Sequence, residues 1–209
     1  MPSTKRIERG DLEALEDVAR EAARSRLLPF VVYTFPEPVG YRVNWHHRVL
    51  SNTLDRVISG DCKRLILAAP PRSGKSELVS VGLPALYFGK NPWGKVISVS
   101  HTAELSVKFS RRLQRMMVDQ RYRALFPKVR LREGMDPKFL PPGAWKQTER
   151  EFDLIGHGDS YRCTGALGSI LGHGANLLIV DDPYKSRQEA QSETIRRRVW
   201  EWFTGDLMN

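Results

Sequence analysis

The sequence predicts an α/β fold, a mostly parallel central sheet flanked by helices and preceded by a helical lead-in. Three observations carry that expectation. Short apolar runs rich in β-branched residues, at 65–68, 96–100 and 177–180, alternate with stretches whose apolar residues recur at helical spacing. Strands separated by helices pair in parallel, because a helical crossover returns the chain to the same end of the sheet. A length of 209 residues suits one such domain and is enough to bury a substantial core.

Taken in order, Asp11 caps a helix to about Leu27, on which Leu12, Leu15, Val18, Ala19 and Ala22 share a face. Residues 29–44, through Pro29, Pro36, Pro38 and Gly40, read as extended and rich in turns. This divides the chain into a lead-in, 1–40, and a main domain, 41–209. Asn44 caps a second helix, whose stripe of Val49, Leu50, Thr53, Leu54, Val57 and Ile58 stops at Gly60. The first core strand starts near Arg64, and a helix over 77–88 follows the loop at 69–76. Asn91-Pro92-Trp93-Gly94 turns the chain into the strand at 96–100, which completes a βαβ unit. Thr102 caps a helix to about Val118. Residues 120–150 have no clean period and form an irregular excursion. Runs at 151–155 and 160–164 pair around Gly156-His157-Gly158-Asp159. A glycine-rich stretch, 165–174, leads into the strand at 177–180, and a last helix runs from about Ser186 through Trp202.

The loop at 69–76 carries the first chemical signal. Ala69-Pro70-Pro71-Arg72-Ser73-Gly74-Lys75-Ser76 ends in the Gly-Lys-Ser of a phosphate-binding loop, with an apolar run before it and a helix after it. In such a loop backbone N–H groups line the β-phosphate, the lysine reaches the β- and γ-phosphates, and the serine ligates Mg²⁺. Residues Pro71 to Glu77, with Lys75 and Ser76 in those two roles, are therefore the expected nucleotide contacts. The pattern departs from the common one at Ala69, where a glycine usually stands. A second signal lies about a hundred residues on. Four apolar residues end in Asp181-Asp182-Pro183, the pattern of a strand that delivers Asp181 to Mg²⁺ and Asp182 to an attacking water. An arginine must neutralise charge on the transferred phosphate, and both Arg72, inside the loop, and Arg162, before the glycine-rich stretch, are candidates. Trp45, His46 and His47 stand at the start of the second helix, where rings can pack against a base or simply into the core. Together these features place the fold among P-loop NTPases of the ASCE, RecA-like and helicase-like kind, with ATP and Mg²⁺ as the expected ligands.

Composition narrows the partners. The net charge of +9 is concentrated between Lys95 and Arg132, where ten basic residues face only Glu104 and Asp119. Lys108, Arg111, Arg112 and Arg115 on the helix after the second strand form the expected nucleic-acid face. No apolar run spans a membrane, no signal segment is visible, and Cys62 and Cys163 lack metal spacing, so a soluble intracellular chain with reduced thiols is expected.

Read together, Asn44-Trp45-His46-His47-Arg48-Val49-Leu50, Pro70-Pro71-Arg72-Ser73-Gly74-Lys75-Ser76-Glu77, Val96-Ile97-Ser98-Val99-Ser100 and the run from Gly172 through Asp181-Asp182-Pro183-Tyr184-Lys185 resemble the large terminase subunit of tailed bacteriophages. The resemblance covers most of the chain from about Phe30. It implies an ATP-driven motor that assembles as a ring on the portal protein, works with a small terminase subunit, and moves double-stranded DNA into a prohead. It implies action in the cytoplasm of the infected bacterial host, without a stable place in the virion. It carries the phosphate and Mg²⁺ roles to Lys75 and Ser76, Mg²⁺ to Asp181, water activation to Asp182, the adenine side to the region of His46 and His47, and a finger acting on a neighbouring subunit to Arg162. Pro-Pro-Arg in the loop looks like that family's own variant. Large terminases continue into a coupling strand and a nuclease domain, neither of which is visible by Asn209, so an N-terminal ATPase fragment without nuclease activity is expected. Two alternatives remain open: a helicase-like ATPase unconnected with packaging, and a non-catalytic DNA-binding or assembly module.

Overall fold

The computed structural model describes residues 9–35, 40–132, 146–170 and 172–208. Pro36, Pro38 and residues 133–145 of the expected irregular excursion lie outside them. The chain is α/β, with a four-stranded, mostly parallel mixed sheet in the order β2-β3-β1-β4. The strands are β1 (Val96–Ser100), β2 (Glu151–Leu154), β3 (His157–Gly165) and β4 (Leu177–Asp181). β1 lies in the middle and pairs in parallel with both β3 and β4, in a register that sets Ser100 level with Gly165 and Asp181. All five of its residues are buried, as a short β-branched run covered on both faces should be. β2 and β3 form the expected antiparallel hairpin, with an irregularity between Phe152 and Leu154.

Helices cover both faces. One face packs α1 (Arg9–Ser25), α2 (Leu27–Thr34), α3 (Trp45–Ile58), α4 (Leu83–Lys90), α5 (Ala103–Val118) and α6 (Gln120–Leu125) around the main core. There Phe30 and Tyr122 meet edge to face at 6.0 Å, and the buried Tyr122 hydroxyl donates to the Ala85 carbonyl. On the other face Ile97 and Val99 of β1 meet Ile170 and Trp202. Trp202 ends α8 (Glu193–Trp202), which follows α7 (Arg187–Gln191), and its indole N–H donates to the Gly168 carbonyl. Among the described residues no helix is long and apolar enough to cross a membrane.

Several elements differ from the sequence expectation. Residues 29–34, expected to be extended, belong to α2. Pro29 sits in the first turn, where its missing N–H costs nothing, and burial of Leu27, Phe30 and Val31 outweighs the strand preference of Val31 and Val32. The run at 65–68, expected to be the first strand, pairs with no strand among the described residues. Leu65 and Leu67 turn towards the main core while Ile66 is 96% exposed, so the run keeps the alternation of a strand without joining the sheet. The stretch after Val118 is not wholly irregular, because Asp119 caps α6 by accepting from the Arg121 N–H. The last helix is two, since Ser192 leaves helical geometry to cap α8. Asn44 and Thr102 cap α3 and α5 as expected.

Candidate functional site

Parallel pairing brings the carboxyl ends of β1, β3 and β4 to one end of the sheet, which is where open α/β sheets bind ligands. At the end of β4, Asp181 is 4% exposed and Asp182 is mostly exposed. Lys75, from the loop at 69–76, reaches both. Its Nζ lies 2.9 Å from Asp181 Oδ1 and 2.6 Å from Asp182 Oδ1. Burial alone would lower the Lys75 pKa, but hydrogen bonds and charge from Asp182 and Asp181 reverse that, so the ammonium is held above its ordinary value.

The helix after the loop starts as a π-helical turn, Glu77–Gly82, before continuing as α4. Its wider turn sets Ser80 against β4, and the Ser80 hydroxyl donates to Asp181 Oδ2 at 2.8 Å in a buried bond. Sequence reasoning missed Ser80; a lone hydroxyl in the apolar run Leu78-Val79-Ser80-Val81 was its signal. Gly82 allows the turn to approach α2, since a Cβ there would lie 2.6 Å from Val31 Cγ2. Ser76 begins this helix without a side-chain capping bond.

The loop is gripped from below. Asn44 caps α3 in a reciprocal box in which its backbone N–H donates to His47 Nδ1 at 3.0 Å. Both imidazoles then reach one atom: His46 Nε2 and His47 Nε2 each lie 2.9 Å from the Ser73 carbonyl oxygen. Tyr41 packs on His47 with ring centres 5.1 Å apart. Burial, with the Glu77 charge adding, pushes its phenol up to about 12. Among the described residues its hydroxyl and the Ser73 hydroxyl are buried without hydrogen-bond partners. Trp45 is 73% exposed and meets His46 edge to face. Arg72 is exposed at the loop's tip with φ +61, and Asp182 takes φ +50, both left-handed conformations that strain non-glycine residues.

The remaining expected residues lie elsewhere. Arg162 is on β3, with β1 between it and β4, and pairs with Glu151 at 2.6 Å. It lines a cavity of about 310 Å³ with Thr148, Arg150, Glu151, Cys163, Thr164 and Ser169, and its Nε is buried without a partner among the described residues. On α5, Lys108 and Arg115 are exposed, but Arg111 forms a bidentate pair with Glu149, both contacts at 2.6 Å. Arg112 is paired with Glu77, the residue after Ser76. Burial raises the Glu77 carboxyl and Arg112 opposes that rise.

No protein-family model matches the chain, and no curated protein matches it. The case for function therefore rests on the residues themselves.

Proposed function

We propose that the chain is a P-loop ATPase domain that binds a nucleoside triphosphate with Mg²⁺, hydrolyses it, and couples this to movement of double-stranded DNA. The observation that carries the reading is the convergence of Lys75 with Asp181 and Asp182, residues about a hundred positions apart that share one ion-pair cluster at the carboxyl end of a parallel strand. An ammonium between two carboxylates beside a glycine-containing loop supplies the three charges phosphoryl transfer uses. The Ser73 and Tyr41 hydroxyls at that loop, buried and without partners among the described residues, add polar groups that suit a polar ligand.

Mg²⁺ fits the donor set, because Ser76 and Asp181 offer hard oxygen ligands. Among the described residues no group of three His, Cys, Asp or Glu could hold a metal by itself, and an ion held jointly by protein and phosphate oxygens needs none. Bound there, Mg²⁺ would neutralise charge on the phosphates. Lys75 would exchange its carboxylate partners for phosphate oxygens. Ser80 would keep Asp181 oriented. Asp182 would orient a water and take its proton as the water oxygen bonds to the γ-phosphorus and the bond to the β-phosphate oxygen breaks, leaving a diphosphate and inorganic phosphate. Arg72 is the arginine available within the same loop, while Arg162 would act on the site of a neighbouring copy.

The sequence resemblance extends this to the motor domain of a phage large terminase, in the host cytoplasm, arranged as a ring on the portal protein with the small terminase subunit. DNA would meet Lys108 and Arg115 first, and Arg111 would trade its exposed Glu149 partner for a phosphate at little cost. ATP turnover with Mg²⁺ that is lost in Lys75→Ala supports the reading; unchanged nucleotide affinity in that variant refutes the site. DNA affinity should fall steeply with salt, and charge reversal at Lys108 and Arg115 should flatten the slope. Portal- and prohead-dependent DNA uptake separates a terminase from a helicase, which would separate strands instead.

A further inference from the structure

We infer that His46 and His47 are positioning residues for the phosphate loop and do not read the base. This rests on the phosphate-loop reading of residues 69–76. His47 Nδ1 accepts the Asn44 N–H, so the ring's proton is on Nε2, and that N–H donates to the Ser73 carbonyl at 2.9 Å. His46 Nε2 contacts the same oxygen at 2.9 Å and must also donate, since a carbonyl has no proton to offer. Two donors saturate the two lone pairs of one carbonyl oxygen.

That grip has a direct consequence for anion binding. In a planar trans peptide the C=O and the following N–H point in opposite directions. Holding the Ser73 oxygen towards α3 therefore turns the Gly74 N–H to the other side of the loop, away from the histidines, where a phosphate-loop amide must point. Gly74 takes φ +79, and a Cβ added to it would lie 2.8 Å from His47 Nε2, so the glycine permits both the backbone turn and the close approach of the clamp. His47 is buried and anchored by the capping box, which makes the clamp part of the helix end. Three of the four ring nitrogens, both of His47 and Nε2 of His46, are thus committed to the backbone.

The two roles separate by ligand. Affinities for ATP, GTP and inorganic tripolyphosphate, each with Mg²⁺, would be measured by calorimetry on the whole chain and on His46→Ala, His46→Gln and His47→Ala. The clamp predicts that His46→Ala weakens all three ligands by one common factor of roughly tenfold, the size of one lost hydrogen bond. It further predicts that His46→Gln, whose amide can replace Nε2–H, recovers most of that loss. His47→Ala also breaks the capping box, so its loss should exceed that of His46→Ala while keeping the same profile across ligands. His46 is half-buried and outside the box, so its variants test the inference even if His47→Ala fails to fold. A wild-type chain that binds none of the three ligands would overturn the phosphate-loop reading and this inference with it. Normal wild-type binding, with His46→Ala either unaffected or weakened for ATP while tripolyphosphate binding is intact, would overturn this inference alone.

Discussion

Lys75 holds the fold together as well as the proposed site, and its replacement separates these contributions. Lys75→Met keeps the length of the side chain but leaves Asp181, 4% exposed, without its cation. Breaking a buried ion pair from one side costs about 3–5 kcal/mol because the remaining charge stays desolvated. The Ser80 hydroxyl still donates to Asp181, which places the cost at the lower end, about 3 kcal/mol. For a domain of this size that is a fall in Tm of roughly 6–12 °C. Adding Asp181→Asn removes the stranded charge and should return most of the loss, although neither variant should bind nucleotide. The assay is urea or thermal unfolding at neutral pH without nucleotide or Mg²⁺, on wild type, both single variants and the double variant. The pH dependence has a definite sign. The folded-state pKa of Lys75 is raised above 10.5, so its contribution is complete below pH 10.5 and is lost as pH rises through the folded value. The gap between wild type and Lys75→Met should narrow there. A Lys75→Met protein as stable as wild type at pH 7, or a double variant less stable than Lys75→Met, would refute the reasoning.

Gly82→Ala should destabilise by about 1–3 kcal/mol in thermal unfolding, because the new methyl meets Val31 Cγ2, and Val31→Ala in the same chain should recover part of it. Arg112→Ala removes the cation that opposes the burial-driven rise of Glu77. The carboxyl then titrates still further above 4.5, so the stability deficit relative to wild type grows as pH rises through that range and then levels off. Partial exposure of Arg112 keeps the plateau below about 2 kcal/mol, and unfolding curves from pH 4 to 8 measure it. Burial pushes the Cys163 thiol up to about 11, whereas Cys62 is half-exposed. At pH 8 a thiol reagent should modify Cys62 quickly and Cys163 only after denaturant is added.

What was legible in the sequence was what is decided locally. The caps at Asn44 and Thr102, the buried run of β1, the hairpin of β2 and β3, and the strand ending in Asp181 each depend on neighbours a few residues away. The α2 helix was not legible, because its strand-forming residues are overruled by packing against Tyr122 and Phe126, far along the chain. Charge counting along α5 could not find Glu149 and Glu77, which lie 38 and 35 residues from the arginines they neutralise. The loop and the paired carboxylates were both expected from their motifs. The direct contact of Lys75 with both carboxylates, the support from Ser80, and the shared hold of two histidines on Ser73 depend on which side chains face one another, and a pattern of residue types does not contain that.

The central place of β1 also sets a timetable. Its two neighbours arrive late, Tyr161 opposite Val96 on one side and Leu177 on the other. Lys75 is separated from Asp182 by 107 positions. At a synthesis rate of about 5–20 residues per second, the lysine emerges roughly 5–20 s before its carboxylates exist. Within that interval, from the synthesis of β1 until β3 follows it, β1 has two open edges, which is when an unpaired strand is most exposed to association with another chain.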